Sequence, residues 1–233
     1  MICFIDYRTT NKEKEALKSL GLSIIEIPPC NKLYKSIDGH VDIQLNIINK
    51  ESKKVIIQKD ISKNFKTELK KYNINFIESK NSLDNKYPKN VILNSLILDE
   101  YLIHNLKCTD EALLSDQSYK KLIDVKQGYT KCSCLPVSNK ALITSDIGIY
   151  NSLIKYDFDI LLIPPGDIIL EGLDYGFIGG TGGLISKDLM AFFGSLDSYE
   201  YGNKIKLFLN KYGVKPIYLN EGKLHDRGSL LIL

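Results

Sequence analysis

The sequence has no tryptophan, no long apolar run, no basic block and no second pair of closely spaced cysteines, and all but the first of these absences remove a class of protein. Without tryptophan, and with lysine, asparagine and isoleucine abundant, composition is a weak guide to chemistry. No stretch approaches the length of a membrane-spanning helix. The N-terminus, Met1-Ile2-Cys3-Phe4-Ile5-Asp6, reaches an acid and then Arg8 before an apolar segment develops. Neither a signal peptide nor an anchor is expected, so the protein is read as cytoplasmic, with no membrane partner. The net charge of +3 comes from lysines scattered among acids, as in Lys50 to Lys54 and Lys66 to Lys71. Nucleic-acid binding therefore has little support. Five cysteines form an odd set in a chain read as unexported, which favours reduced thiols over a disulfide framework. Cys132 and Cys134 lie close together, but their C-x-C spacing has no second pair or nearby histidine to complete a zinc site, and no metal is expected. The segment Gly176 to Gly183 lacks the Lys-Ser/Thr ending of a phosphate-binding loop and the spacing of a dinucleotide fingerprint, and no cofactor is expected.

What is present is a repeat. A chain of 233 residues, 25% charged and 44% hydrophobic, suits a single domain over 1–233 with one substantial core. Helix starts are predicted near Thr10, Asp60, Asp110, Asp146 and Ser198, at intervals of about 50, 50, 36 and 52 residues. Thr10 with Glu13 makes a capping box, and the three aspartates can each accept the free N–H groups of a first turn. Before each start runs a candidate strand, in turn 2–6, 55–58, 91–103, 141–144 and 189–193. After each helix the chain returns in another apolar run, at 23–27, 74–77, weakly near Val125, 160–163 and 214–219. Two returns end alike, in Ile27-Pro28-Pro29-Cys30 and Ile163-Pro164-Pro165-Gly166, which places both loops at equivalent points of the repeat. The last module ends in Gly228 to Leu233 with no helix after it, and the first begins with nothing in front. Pairing of that last strand beside Ile2 to Ile5 closes a ring and removes exposed strand edges.

Five strand-rich modules with one outer helix each, together with Asp38-Gly39-His40-Val41-Asp42, Gln127-Gly128-Tyr129-Thr130-Lys131-Cys132 and the glycine-rich segment Gly176 to Gly183, resemble the pentein superfamily. This is the group of arginine deiminases, dimethylarginine dimethylaminohydrolases and amidinotransferases, and the resemblance is to a poorly characterised branch of it. It implies an α/β fold, a fivefold pseudosymmetric α/β propeller closed by the N- and C-terminal strands. It implies a hydrolase or transferase acting on a C–N bond of a small guanidino or amidino compound, with a small polar or cationic molecule as partner. The family's nucleophilic cysteine lies near the C-terminus, where this chain has His225-Asp226-Arg227-Gly228-Ser229. Ser229 is a poor replacement, because a hydroxyl needs an adjacent base whereas a thiol ionises near neutral pH.

The candidate catalytic residues are Cys132 as nucleophile on a different module, His40 as acid/base and Asp42 as its carboxylate partner. His40 and Asp42, two apart, are expected on one face of a strand from His40 to Ile47. Thr130, Cys132 and Cys134 are expected to alternate onto one face, with Lys131 facing away. The candidate substrate-binding residues are Asp167, Gly179, Gly180, Thr181 and Asp226, with Gly176 to Gly183 as a tight strand-to-strand turn. Asp226 and Arg227 are equally readable as an ion pair, and His104 as a structural residue with no evident partner. A noncatalytic pentein that binds a small molecule or a protein partner, as the ribosome anti-association factor of the same fold does, is the alternative.

Overall fold

The apolar runs of the sequence become strands, and the computed structural model, which describes residues 1–233, pairs them into five three-stranded sheets. Along the chain the first elements are β1 (Ile2–Asp6), α1 (Asn11–Ser19), β2 (Ser23–Ile27), α2 (Val41–Gln44), β3 (Leu45–Asn49), β4 (Lys54–Ile57), α3 (Lys63–Lys71) and β5 (Asn75–Glu78). Then come β6 (Leu96–Ile97), β7 (Tyr101–His104), α4 (Glu111–Asp116), β8 (Lys121–Asp124), α5 (Thr130–Ser133), β9 (Cys134–Ser138), β10 (Ala141–Thr144), α6 (Ile147–Leu153) and β11 (Asp159–Leu162). The last are β12 (Gly182–Ser186), β13 (Leu189–Phe192), α7 (Gly202–Lys211), β14 (Lys215–Tyr218) and β15 (Leu231–Ile232). No helix is long and apolar enough to cross a membrane.

The five sheets share one topology: a leading strand antiparallel to a middle strand, which is parallel to a third strand reached through a helix. The middle strands β1, β4, β7, β10 and β13 are hydrogen-bonded on both edges and buried on both faces, which is why they read as continuous apolar runs rather than alternating ones. In the first sheet the leading strand is β15, from the other end of the chain. It lies antiparallel to β1, with Cys3 opposite Ile232 and Phe4 opposite Leu231.

Helix starts follow the capping chemistry where the cap is local. Thr10 and Glu13 form the reciprocal box, Asp110 accepts from Ala112 N and Asp146 from Ile149 N. Two starts differ from expectation. Ser62, not Asp60, caps α3, because Asp60 turns outward to Lys32 at 2.7 Å while the Ser62 hydroxyl accepts from Phe65 N. Ser198 ends a 3₁₀ turn (Leu196–Ser198), and α7 starts only at Gly202. The run 91–103 is likewise not one strand but folds back on itself as β6 and β7.

Five hydrophobic clusters hold the sheets together, each joining one sheet to the next sheet and its helix. In the fifth, Ala191 and Phe193 of the last sheet pack with Cys3, Ile5 and Leu17 of the first.

Candidate functional site

The strand register decides where polar residues gather. Each leading strand begins opposite the end of its middle strand: Leu45 faces Ile57, Leu96 faces Ile103, Cys134 faces Thr144, Gly182 faces Phe192 and Leu231 faces Phe4. Residues just before the leading strands therefore share one end of the sheets with residues that finish the middle strands. Asp42, Asn94, Cys132, Gly180 and Ser229 are of the first kind, and Asp6 is of the second.

Before four of the leading strands the backbone bends rather than extends. Val41–Gln44 and Thr130–Ser133 each make a single helical turn, Ile178–Gly180 makes a 3₁₀ turn, and Gly228 and Ser229 adopt φ values of +67° and +72°. These bends overturn three local expectations. His40 and Asp42 lie not on a strand but at the cap and in the first turn of α2. Lys131 does not face away from Cys132's surroundings, and Gly176 to Gly183 is no strand-to-strand hairpin but the turn that feeds β12. An α-turn suits these positions because it points several N–H groups and side chains inward from one short segment.

The cluster is built on Cys132 and Asp42. The Cys132 thiol lies 3.2 Å from both Asp42 carboxylate oxygens, to which its S–H donates. Asn94 fixes the turn that carries the thiol: its Nδ2 donates to Cys132 Sγ at 3.1 Å and to the Asp42 carbonyl at 3.0 Å. Its Oδ1 accepts from the Lys131 and Cys132 amides. On the other side Ser229 Oγ lies 2.6 Å from Asp42 Oδ2 and 2.7 Å from the Gly179 carbonyl, and accepts from Lys131 Nζ at 2.8 Å. Polar atoms of His40, Asp42 and Cys132 lie within 4.8 Å of one another, and all three residues are buried. As N, O and S donors the three could also hold a divalent metal.

Neither ring nitrogen of His40 has a hydrogen-bond partner, and its Nε2 sits 3.9 Å from Asp226 Oδ1, beyond hydrogen-bond range. Burial lowers the His40 pKa and keeps the ring neutral, against the pull of Asp42 and Asp6. Burial, with Asp42 and Asp226 as like charges, pushes the Cys132 thiol well above the ordinary thiol value. Asp226 accepts from the Phe177 and Gly228 amides at 2.8 and 2.9 Å, yet burial raises it to about 6. Three carboxylates, Asp6, Asp42 and Asp226, thus converge. Asp6 has Arg8 against it at 2.5 Å, Asp42 has Lys131 one hydroxyl away, and Asp226 has only the neutral His40 ring beside it, with Lys131 acting on it through space. Tyr34 and Tyr129, whose hydroxyls are 3.4 Å apart, lie within electrostatic reach of Cys132, and Tyr129 packs on Phe177.

Of the residues singled out in the sequence, the structure brings together His40, Asp42, Cys132, Asp226 and the Gly179–Gly180 backbone. Gly180 approaches Asp226 so closely that a Cβ there would lie 1.8 Å from a carboxylate oxygen. Two others are not brought in. Asp167 is tied at the surface to Lys223 at 2.7 Å and to the Glu200 amide, and the Thr181 hydroxyl is spent on the Ile178 carbonyl. Asp226 and Arg227 form no ion pair, since Asp226 turns to backbone amides. His104 has two partners, Thr109 Oγ1 at 2.7 Å and the Gly128 carbonyl at 2.8 Å. Asp6, Asn94, Lys131 and Ser229 complete the cluster without having been marked as site residues. Asp6, the buried acid that ends an apolar strand, carries the clearest local signal among them.

The buried acid and the buried imidazole oppose each other in pH dependence. Asp226, raised from 3.8 to about 6, contributes stability below pH 3.8 that is lost as pH rises through 6. His104, lowered from 6.5 to about 4, contributes stability above pH 6.5 that is lost as pH falls through 4. Each amounts to about 3 kcal/mol at 1.36 kcal/mol per pKa unit. Asp226→Asn leaves the histidine unopposed, so urea unfolding at several pH values should show the variant losing about 2 kcal/mol more than wild type between pH 6.5 and 4. Parallel curves would contradict the assignment.

Comparisons bear on this geometry in three ways. A family model described as a family of unknown function (DUF6873) matches residues 4–231. A search of curated protein sequences gives no match. Among solved structures, the chain is similar to SxtG, an amidinotransferase from Microseira wollei in the saxitoxin biosynthetic pathway. The TM-score is 0.57 at 11% identity, covering 95% of this chain and 78% of that one. It is similar to the inosamine-phosphate amidinotransferase StrB1 from Streptomyces griseus, with TM-score 0.56, 12% identity and coverage of 92% and 74%. It is also similar to a cysteine-to-serine variant of DDAH from Pseudomonas aeruginosa complexed with citrulline, with TM-score 0.53, 10% identity and coverage of 93% and 91%. The chain shares the fold of these three proteins.

Proposed function

The chain belongs to a family of unknown function, DUF6873, and for this member of it we propose an enzyme that cleaves or transfers a C–N bond of a small guanidino or amidino compound. The observation that carries this reading is the buried meeting of the Cys132 thiol, the unpartnered His40 ring and the Asp42 and Asp226 carboxylates. In the proposed reaction Asp42 and Asp226 hold the substrate cation, whose charge offsets the carboxylates that keep the thiol protonated. Cys132 gives its proton to His40 and its sulfur bonds to the central carbon of the substrate. The C–N bond then breaks, and the departing amine takes the proton from His40. Water, or a second amine, next attacks the thioester-like carbon and frees the thiol, giving hydrolysis or transfer. The fold shared with two amidinotransferases and with a DDAH complexed with citrulline agrees with this chemistry.

With this reading goes a single domain over 1–233 whose five sheets close into a ring. The β15–β1 pairing and the core cluster that joins the last sheet to the first support it. Cys132 is 1% exposed, so substrate must open a path to it, and we place that opening at the Tyr34–Tyr129 contact.

The test is selective labelling. Chloroacetamidine carries an electrophilic carbon beside a cationic amidinium, and chloroacetamide is its neutral counterpart. Cys108, half-buried and outside the cluster, serves as internal reference. Relative to Cys108, labelling of Cys132 by the amidine should be at least about tenfold faster than by the amide, since a cation–carboxylate contact of 1.4 kcal/mol already gives that factor. Equal ratios, or no labelling of Cys132 by either, would sink the enzymatic reading and leave a noncatalytic binder.

A further inference from the structure

A cavity lies at the far ends of the same strands that carry the Cys132 cluster. Of about 770 Å³, it is bordered by the leading strand of every sheet, through Asn46, Leu96, Val137, Leu184 and Leu231. Its walls combine apolar side chains of these strands with Asn46, Asn49, Ser138 and Asn139, and its charged groups are lopsided: Lys50, Lys120, Lys131 and Lys187 against Glu51 and Asp99. None of the four lysines forms an ion pair. The carboxylates that do pair in this protein belong to Arg8, His40 and nine other lysines. Lys120 gives its hydrogen bonds to the Leu98 and Asp99 carbonyls, and the Asp99 carboxylate is taken by Asn139. Lys131 is only 7% exposed and has no direct carboxylate partner; its charge is answered at a distance, by Asp42 one hydroxyl away and by Asp226 through space, which leaves it short of an anion in contact.

Lys131 also reaches the other end. Its Nζ donates to Ser229 Oγ at 2.8 Å, Ser229 lies 2.6 Å from Asp42, and Asp42 accepts the Cys132 thiol. The Ser229 hydroxyl has one proton and two acceptors in range, Asp42 Oδ2 and the Gly179 carbonyl at 2.7 Å, so its orientation is free to switch between them.

We propose that this cavity binds a small organic anion, its apolar body against the leading strands and its charge on Lys131, and that occupancy is relayed to Asp42 through Ser229. A carboxylate and a phosphate monoester meet these requirements equally. A bound anion draws the Lys131 ammonium toward itself, removes a donor from Ser229 and changes what Asp42 receives. The proposal stands apart from the enzymatic reading, because binding here requires neither a nucleophile nor a guanidino substrate.

Hexanoate and hexyl phosphate serve as probes of the two headgroups, hexylammonium as a cation of the same length and inorganic phosphate as a charge without a body. Calorimetry should show at least one of the two organic anions binding, with hexylammonium and phosphate at least about tenfold weaker, a difference of 1.4 kcal/mol. Lys131→Met should weaken the anion by about tenfold. Should that variant fold poorly, Lys187→Glu at the exposed rim should weaken it by about threefold through charge alone. In amide spectra of the wild type, the anion should shift the resonances of Lys131, Ser229 and Asp42, and Ser229→Ala should abolish the shift at Asp42 while binding persists. Equal affinity for hexylammonium, no binding of either organic anion, or indifference to both lysine variants would overturn the site. An Asp42 resonance that stays put, or that still moves in Ser229→Ala, would overturn the relay.

Discussion

Cys132→Ala is expected to lower turnover of a guanidino substrate by about a thousandfold or more, because no other side chain in the cluster can form the covalent intermediate. Ser229 is the nearest hydroxyl candidate, but it is fully buried and its proton is committed to Asp42 or to the Gly179 carbonyl. The fold should survive. The substitution removes one sulfur atom and its hydrogen bonds to Asp42 and from Asn94, while Asp42 keeps the Ser229 hydroxyl and Asn94 Nδ2 keeps the Asp42 carbonyl, so unfolding free energy should change by about 1–2 kcal/mol. Cys132→Ser keeps a donor to Asp42 and should match wild type in stability while being as inactive as the alanine variant. Release of amine or of ureido product measures the first effect, and urea unfolding measures the second. Turnover within tenfold of wild type in either variant would dismiss covalent catalysis at this position.

Gly228→Ala is expected to damage both the fold and the site. The residue sits at φ +67°, where a side chain costs about 1 kcal/mol. A Cβ there would also lie 2.3 to 2.5 Å from the Cβ, Cγ and Cα atoms of His40. Those atoms cannot yield, since His40 is 1% exposed and the backbone behind it, at Gly39, runs so close to the Asp6 carboxylate that a Cβ there would lie 2.4 Å from its oxygen. Backbone strain and overpacking together give about 3 kcal/mol, or a melting temperature about 6–12 °C lower for a chain of this size. Gly222→Ala is the control. It shares a positive φ, +91°, but has nothing within 4 Å of its Cβ, so it should lose only the backbone part. Equal losses in the two variants would show that contact with His40 is not what makes Gly228 necessary.

The success and failure of local reasoning follow from how far each interaction reaches. Thr10, Asp110 and Asp146 are correct as caps because a cap bonds an amide two or three residues away. Asp60 misleads because Lys32, 28 positions earlier, competes for it. The middle strands are legible as apolar runs because both their faces are buried. The His-x-Asp spacing suggests one face of a strand, yet the chain turns helically at Val41. The two side chains still meet because His40 lies at the cap, outside the turn that carries Asp42. Nothing near Cys132 in sequence announces Asp42, 90 residues away, or Ser229, 98 residues from the lysine that holds it.

By itself the sequence determined the module: a buried strand, a capped helix, a returning strand, and its recurrence along the chain, all set by periodicity and by bonds spanning a few residues. It also determined which residue types are available for chemistry, including thiols, a histidine two residues before an acid and a C-terminal segment without cysteine. Which of them meet depends on the packing of the whole chain. Register sets each bend before a leading strand against the end of its middle strand, and this gathers Asp42, Asn94, Cys132 and Ser229 at one end of the sheets. It also set Lys131 between that cluster and the cavity beyond. Such encounters depend on pairing across the whole chain, which no local pattern of residues encodes.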